Sequence, residues 1–178
     1  PGQPLRRWVP GEPNPPIELP GSFRPSLGEL RQLRDLRGLE HCRGLHHLQA
    51  HSEGLKLAFC RQYDKGEDVL SWMIYDGTRR NATIRRLDGK PWSDRRKARS
   101  LVGSDARWPI GAAGPVGADT VLLCKGAPDA LVAATMGVNA ARLLGKFAVV
   151  AMTYRFDIHE DALPYFQGKR VLMFTCND

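Results

Sequence analysis

Long apolar runs are missing from this 178-residue chain, and none approaches the ~20 residues that a membrane span requires. No charged stretch followed by an apolar one opens it, so neither a leader nor a membrane partner is expected. Cysteine is sparse and scattered: Cys42, Cys60, Cys124 and Cys176 form no Cys-x-x-Cys pair. That spacing argues against a zinc ribbon or a disulfide scaffold and favours a reducing, cytoplasmic setting. The first residue is Pro1 rather than Met, so the chain is expected to be an excised or processed piece of something longer.

What is present is an ordinary globular composition, 42% hydrophobic and 25% charged, enough for one domain or two small ones. Acidic charge is short in one place only. Residues 79–118 carry ten basic groups (Arg79, Arg80, Arg85, Arg86, Lys90, Arg95, Arg96, Lys97, Arg99, Arg107) against Asp88, Asp94 and Asp105. Basic and acidic groups balance elsewhere, so the whole net charge of +7 arises in this stretch. A field that concentrated suits a polyanion, nucleic acid or nucleotide first and an anionic membrane second. The alternative is a solvated, strongly charged face with no specific partner.

Residues 1–25 hold eight of the thirteen prolines and read as an extended arm or linker, with Trp8, Ile17 and Phe23 available to dock on a neighbouring surface. Residues 26–60 read as a helical segment. Ser26 and Glu29 form a capping box, and Leu27, Leu30, Leu33, Leu36 and Leu39 make the apolar stripe of a helix over 27–39. A weaker helical stretch over 41–60 carries His41, Cys42, His46, His47 and His51. The four-residue spacings would put ligand pairs on one face, but no acidic or thiol partner completes a metal set, which favours exposed helix histidines.

Residues 61–118 read as a basic, β-rich unit. A strand over 69–75 is closed by Asp76-Gly77, and a return strand over 80–87 bears the arginines. A polar loop with a short strand covers 90–107, flanked by Trp92 and Trp108. These indoles would stack bases or, more commonly, anchor the loop to the core. From 119 the pattern becomes α/β. Short apolar strands over 121–124, 148–152 and 170–175 alternate with helices over 129–136 and 159–166. That pattern indicates a parallel sheet with flanking helices, whose chemistry gathers at the strands' carboxyl ends, Lys125-Gly126 and Cys176-Asn177-Asp178.

VLLCKGAPDAL, followed some fifty residues later by RVLMFTCND, resembles the Toprim domain of bacterial and phage- or plasmid-type DNA primases. Upstream, NATIRRLDGK and RRKARSLVGSDARWPIG resemble the basic amino-terminal half of the primase polymerase core, and the helix over 27–39 the segment that joins a zinc-binding module to it. The resemblance covers about residues 55–178. It implies a truncated Toprim-like α/β unit over 119–178 and RNA primer synthesis on single-stranded DNA in replication by Mg²⁺-dependent nucleotidyl transfer. Nucleotides and a replicative helicase would be further partners. By its motifs Lys125, Asp129 and Asp178 would be the catalytic positions, Asp178 the metal ligand, and Arg79, Arg80, Arg85, Arg86, Arg95, Arg96, Lys97 and Arg99 the nucleic-acid contacts.

Two positions depart from the family. Its Glu-Gly strand end is Lys125-Gly126 here, and the first aspartate of its Asp-x-Asp pair is Cys176. A like-charge contact at ~4 Å costs about 4 kcal/mol at an effective dielectric of 20. Either nucleotidyl transfer is weakened or lost, leaving a non-catalytic nucleic-acid-binding module, or Lys125 binds phosphate directly. The basic block argues against a Toprim nuclease or topoisomerase. An α/β protein unrelated to nucleic acid is the remaining alternative.

Overall fold

Lys65 and Gly66 both lie at positive φ, 47° and 92°, as a two-residue hairpin turn requires. They join β2 (Lys56–Asp64) to β3 (Glu67–Tyr75), antiparallel, with Asp64 opposite Glu67. The computed structural model of the chain describes residues 16–23, 54–114, 117–134, 146–153 and 157–174. Within them β4 (Ala82–Arg86) and β5 (Arg99–Ser100) extend the sheet beyond β3, and β1 (Ser22–Phe23) extends it beyond β2. All neighbours are antiparallel, in the order β1-β2-β3-β4-β5.

Alternation along the strands sends side chains to two faces. Leu57, Phe59, Trp72 and Ile74 share one face, and Ala58, Cys60, Met73 and Ile84 share the other, where Trp92 covers them. Both faces are buried, which explains why β2 opens with a continuous apolar run.

A second sheet is wholly parallel. β6 (Thr120–Lys125) lies between β7 (Phe147–Met152) and β8 (Arg170–Phe174). Gly126 turns the chain at φ 99°, and residues 127–134 form helix α1, with Pro128 in its first turn, where a missing N–H costs nothing. The chain is thus mixed α/β. One core holds both sheets: Leu57, Phe59 and Trp72 pack with Leu122 and Val149 and with Leu131 of α1. On the far side of the parallel sheet, Val121, Leu123, Val150 and Met152 lie beneath Ile158 and Phe166.

Residues 101–114 strap the sheets together. Leu101 N–H donates to Ala82 C=O (3.1 Å) and Asp105 N–H to Arg80 C=O (2.8 Å). Farther along, Ile110 and Ala151 exchange backbone hydrogen bonds of 3.0 and 2.9 Å along the outer edge of β7. No helix among the described residues is long and apolar enough to cross a membrane.

Several expectations change. Residues 56–60 belong to β2, not to the helical segment expected to reach residue 60; an unbroken apolar run over 57–60 suits a two-faced strand as well as a helix. The connection after Tyr75 is no tight turn, since six residues (76–81) separate β3 from β4. The helix expected over 159–166 is a 3₁₀ helix, Glu160–Tyr165, because Pro164 lacks the N–H and the clearance an α turn needs. Of the arm, Ile17 is buried, and its N–H donates to Arg79 C=O at 2.8 Å. The leucine-striped helix, the histidine cluster, Trp8, Cys176 and Asp178 lie outside the described residues.

Candidate nucleic-acid interface

Two adjacent arginines on β4 must face opposite ways, and their surroundings differ accordingly. Arg85 pairs in register with Trp72, on the face that packs against α1. Its guanidinium is half-buried, and Nε donates to Lys97 C=O at 3.3 Å. Burial draws the Arg85 guanidinium below its ordinary value, while the nearby Asp129 carboxylate opposes the shift. Arg85 therefore feels the turn that follows β6, where Asp129 occupies the first turn of α1 and Lys125 ends the strand, exposed.

Arg86 faces the other way, into a carboxylate group. It makes a two-pronged contact with Asp88 (2.9 and 2.6 Å), and its Nη1 lies 3.5 Å from Asp64. Arg99 bonds Asp64 and Asp94, both at 3.1 Å, and stacks over the Trp92 ring at 4.6 Å. Hydrogen bonds from Ser93 are the main cause holding the Asp64 carboxyl below the ordinary carboxylate range, with Arg99 adding to it. Hydrogen bonds also hold Asp88 (from Arg86) and Asp94 (from Arg96 N–H) below that range.

Arg80 is occupied as well. It bonds Asp161 at 2.9 Å, lies 3.8 Å from Asp105 and stacks on the Trp108 ring at 4.2 Å. Beside half-buried Arg85, the other seven positions expected to hold nucleic acid divide into two groups. Arg80, Arg86 and Arg99 are ion-paired and clamp loops. Arg79, Arg95, Arg96 and Lys97 are exposed, the last three together in the loop that reaches Arg85, and Arg79 in the connection before the opposite end of β4.

Trp92 and Trp108 are each only 2% exposed. They anchor loops to the core, and neither offers a face for base stacking. Burial pushes the Cys60 thiol up to about 11, so it stays protonated and inert as a nucleophile.

The fit of a magnesium ion is decided by charge and donor type. Mg²⁺ takes oxygen ligands, typically one or two carboxylates plus phosphates. The turn after β6 supplies the Lys125 ammonium, and its carboxylate, Asp129, acts electrostatically on Arg85. Of the expected site, Lys125 and Asp129 together offer one carboxylate, and the expected metal ligand, Asp178, lies outside the described residues. Among the described residues no group of three or more His, Cys, Asp or Glu is placed to hold a metal ion.

Sequence reasoning missed Asp64, Ser93 and Asp76. Asp64 is a buried acceptor for Ser93, Arg86 and Arg99. Asp76 accepts from Trp108 Nε1–H (3.2 Å) and Gly111 N–H (2.8 Å). These partners lie 22 to 35 residues away, beyond the reach of any local pattern. Comparison with protein-family models, with curated proteins and with solved structures returned no match for this chain.

Proposed function

We propose that this chain is a Toprim-type module of the DNA-primase kind whose task is to hold single-stranded DNA, with binding retained and nucleotidyl transfer lost. The observation that carries the reading is the Arg85–Asp129 approach. Arg85 also holds the Lys97 carbonyl, so it stands between the loop that carries the exposed cations Arg95, Arg96 and Lys97 and the turn after β6, where Lys125 ends the central parallel strand. A phosphate chain laid between the loop and that strand end would meet cations from both sides. Ion pairing of Arg80, Arg86 and Arg99 leaves the exposed group as the variable part of the field, so the contact is with phosphates rather than with base edges. The buried tryptophans argue against base stacking as the source of affinity.

Fluorescence anisotropy with a labelled oligothymidylate tests the reading. Affinity should fall linearly with the logarithm of salt concentration, with a slope of about −2 for three phosphate contacts on a single strand. Replacing Arg95, Arg96 and Lys97 together by alanine should remove most of that slope and weaken binding about tenfold or more at low salt. Affinity indifferent to salt, or to the triple substitution, would overturn the interface. Magnesium-dependent primer synthesis by the unaltered chain would instead establish the catalytic reading.

A further inference from the structure

A carboxylate buried under a cationic loop opposes the loop's own field, so its presence there calls for a physical reason. Asp64 ends β2, and its side chain is 6% exposed. Oδ1 accepts from Ser93 Oγ–H (2.6 Å) and Arg99 Nη2–H (3.1 Å), Oδ2 accepts from Ser93 N–H (2.9 Å), and Arg86 Nη1 stands 3.5 Å from Oδ2. Every one of those donors belongs to the segment that carries the exposed cations or to the strand beside it. Ser93 and Arg99 bracket Arg95, Arg96 and Lys97.

The segment is closed on itself as well. Trp92 N–H donates to Arg96 C=O and Arg95 N–H to Trp92 C=O, both at 2.8 Å, and Arg95 sits at φ 66°. A left-handed arginine in an exposed loop persists only where the surroundings hold it. Trp92 plugs one end into the sheet, and Arg99 stacks on its ring.

From this geometry we infer that Asp64 is a positioning residue of the phosphate-binding loop: it fixes residues 92–99 from beneath so that Arg95, Arg96 and Lys97 are presented already ordered. The inference rests on the binding function proposed above. Preorganisation removes the ordering cost that a free loop pays on binding. It also reverses the sign expected from charge alone. Removing a negative charge under a cationic loop raises the local field and should tighten DNA binding. Removing a clamp should loosen the loop and weaken it.

The test is Asp64→Asn, nearly isosteric and one unit more positive, with Ser93→Ala as a second variant that leaves charge untouched. Oligothymidylate affinity should drop about fivefold to tenfold in Asp64→Asn and about twofold to threefold in Ser93→Ala. The salt slope should become shallower as fewer cations act together. Amide hydrogen exchange, read without any nucleic acid, should accelerate over 92–99 in both variants while the strands β3 and β6 keep their protection. Equal or tighter binding by Asp64→Asn, or unchanged exchange over 92–99, would overturn the inference. An unaltered chain that fails to bind the oligonucleotide would defeat the interface itself; that failure is distinguishable because the exchange measurement detects the clamp independently of DNA.

Discussion

Asp76 receives four hydrogen bonds, from Thr78 N–H and Oγ–H, Trp108 Nε1–H and Gly111 N–H, and none of its surface meets solvent. Cutting the side chain back strands donors from two separate segments, the 76–81 connection and the 101–114 strap. Asp76→Ala should therefore destabilise the fold by about 3 kcal/mol, read from urea denaturation; a loss under about 1 kcal/mol would mean that those donors find other acceptors. Gly111 is a second such position. It lies at φ 93°, and a Cβ placed there would come within 2.6 Å of the Val149 carbonyl oxygen. Gly111→Ala is expected to cost about 2 kcal/mol or more and to loosen the Ile110–Ala151 bridge first, visible as faster exchange at Ala151. At this scale the sequence exposed the residue types and hid their roles. Asp76-Gly77 reads as turn punctuation, and Arg85 and Arg86 read alike, because only strand register separates a residue facing α1 from one facing Asp64.

At the scale of elements, the loop over 88–99 is held chiefly by carboxylates whose protonation is suppressed in the folded state: Asp64, Asp88 and Asp94. A depressed folded pKa supplies stability that is fully present above the ordinary carboxylate value and is lost as pH falls through the folded value. The melting temperature should therefore stay level down to about pH 5 and fall below about pH 4. Asp64→Asn should flatten that fall, and an acid limb of unchanged steepness would remove Asp64 from the linkage. Strand pattern was largely legible here. The apolar runs behind β3, β6, β7 and β8 stand out from their turn residues. β2 was not legible, since a strand buried on both faces shows no alternation. The 3₁₀ geometry of Glu160–Tyr165 was legible in principle from Pro164.

For the whole molecule, the shared core ties an antiparallel and a parallel sheet into one folding unit. Leu122→Ala, in the middle of β6, should cost about 2–5 kcal/mol and lower a single calorimetric transition, without splitting it in two. Two resolved transitions would show that the sheets fold apart. Antiparallel pairing gives way to parallel pairing between β5 and β6, and the interior continues from one sheet to the other; no local signal reveals that Trp72 and Leu122 share a core. The Ile110–Ala151 bridge has one more consequence. It occupies the outer margin of β7, so among the described residues β8 alone keeps an unpaired margin of the parallel sheet, and any further strand would have to join there.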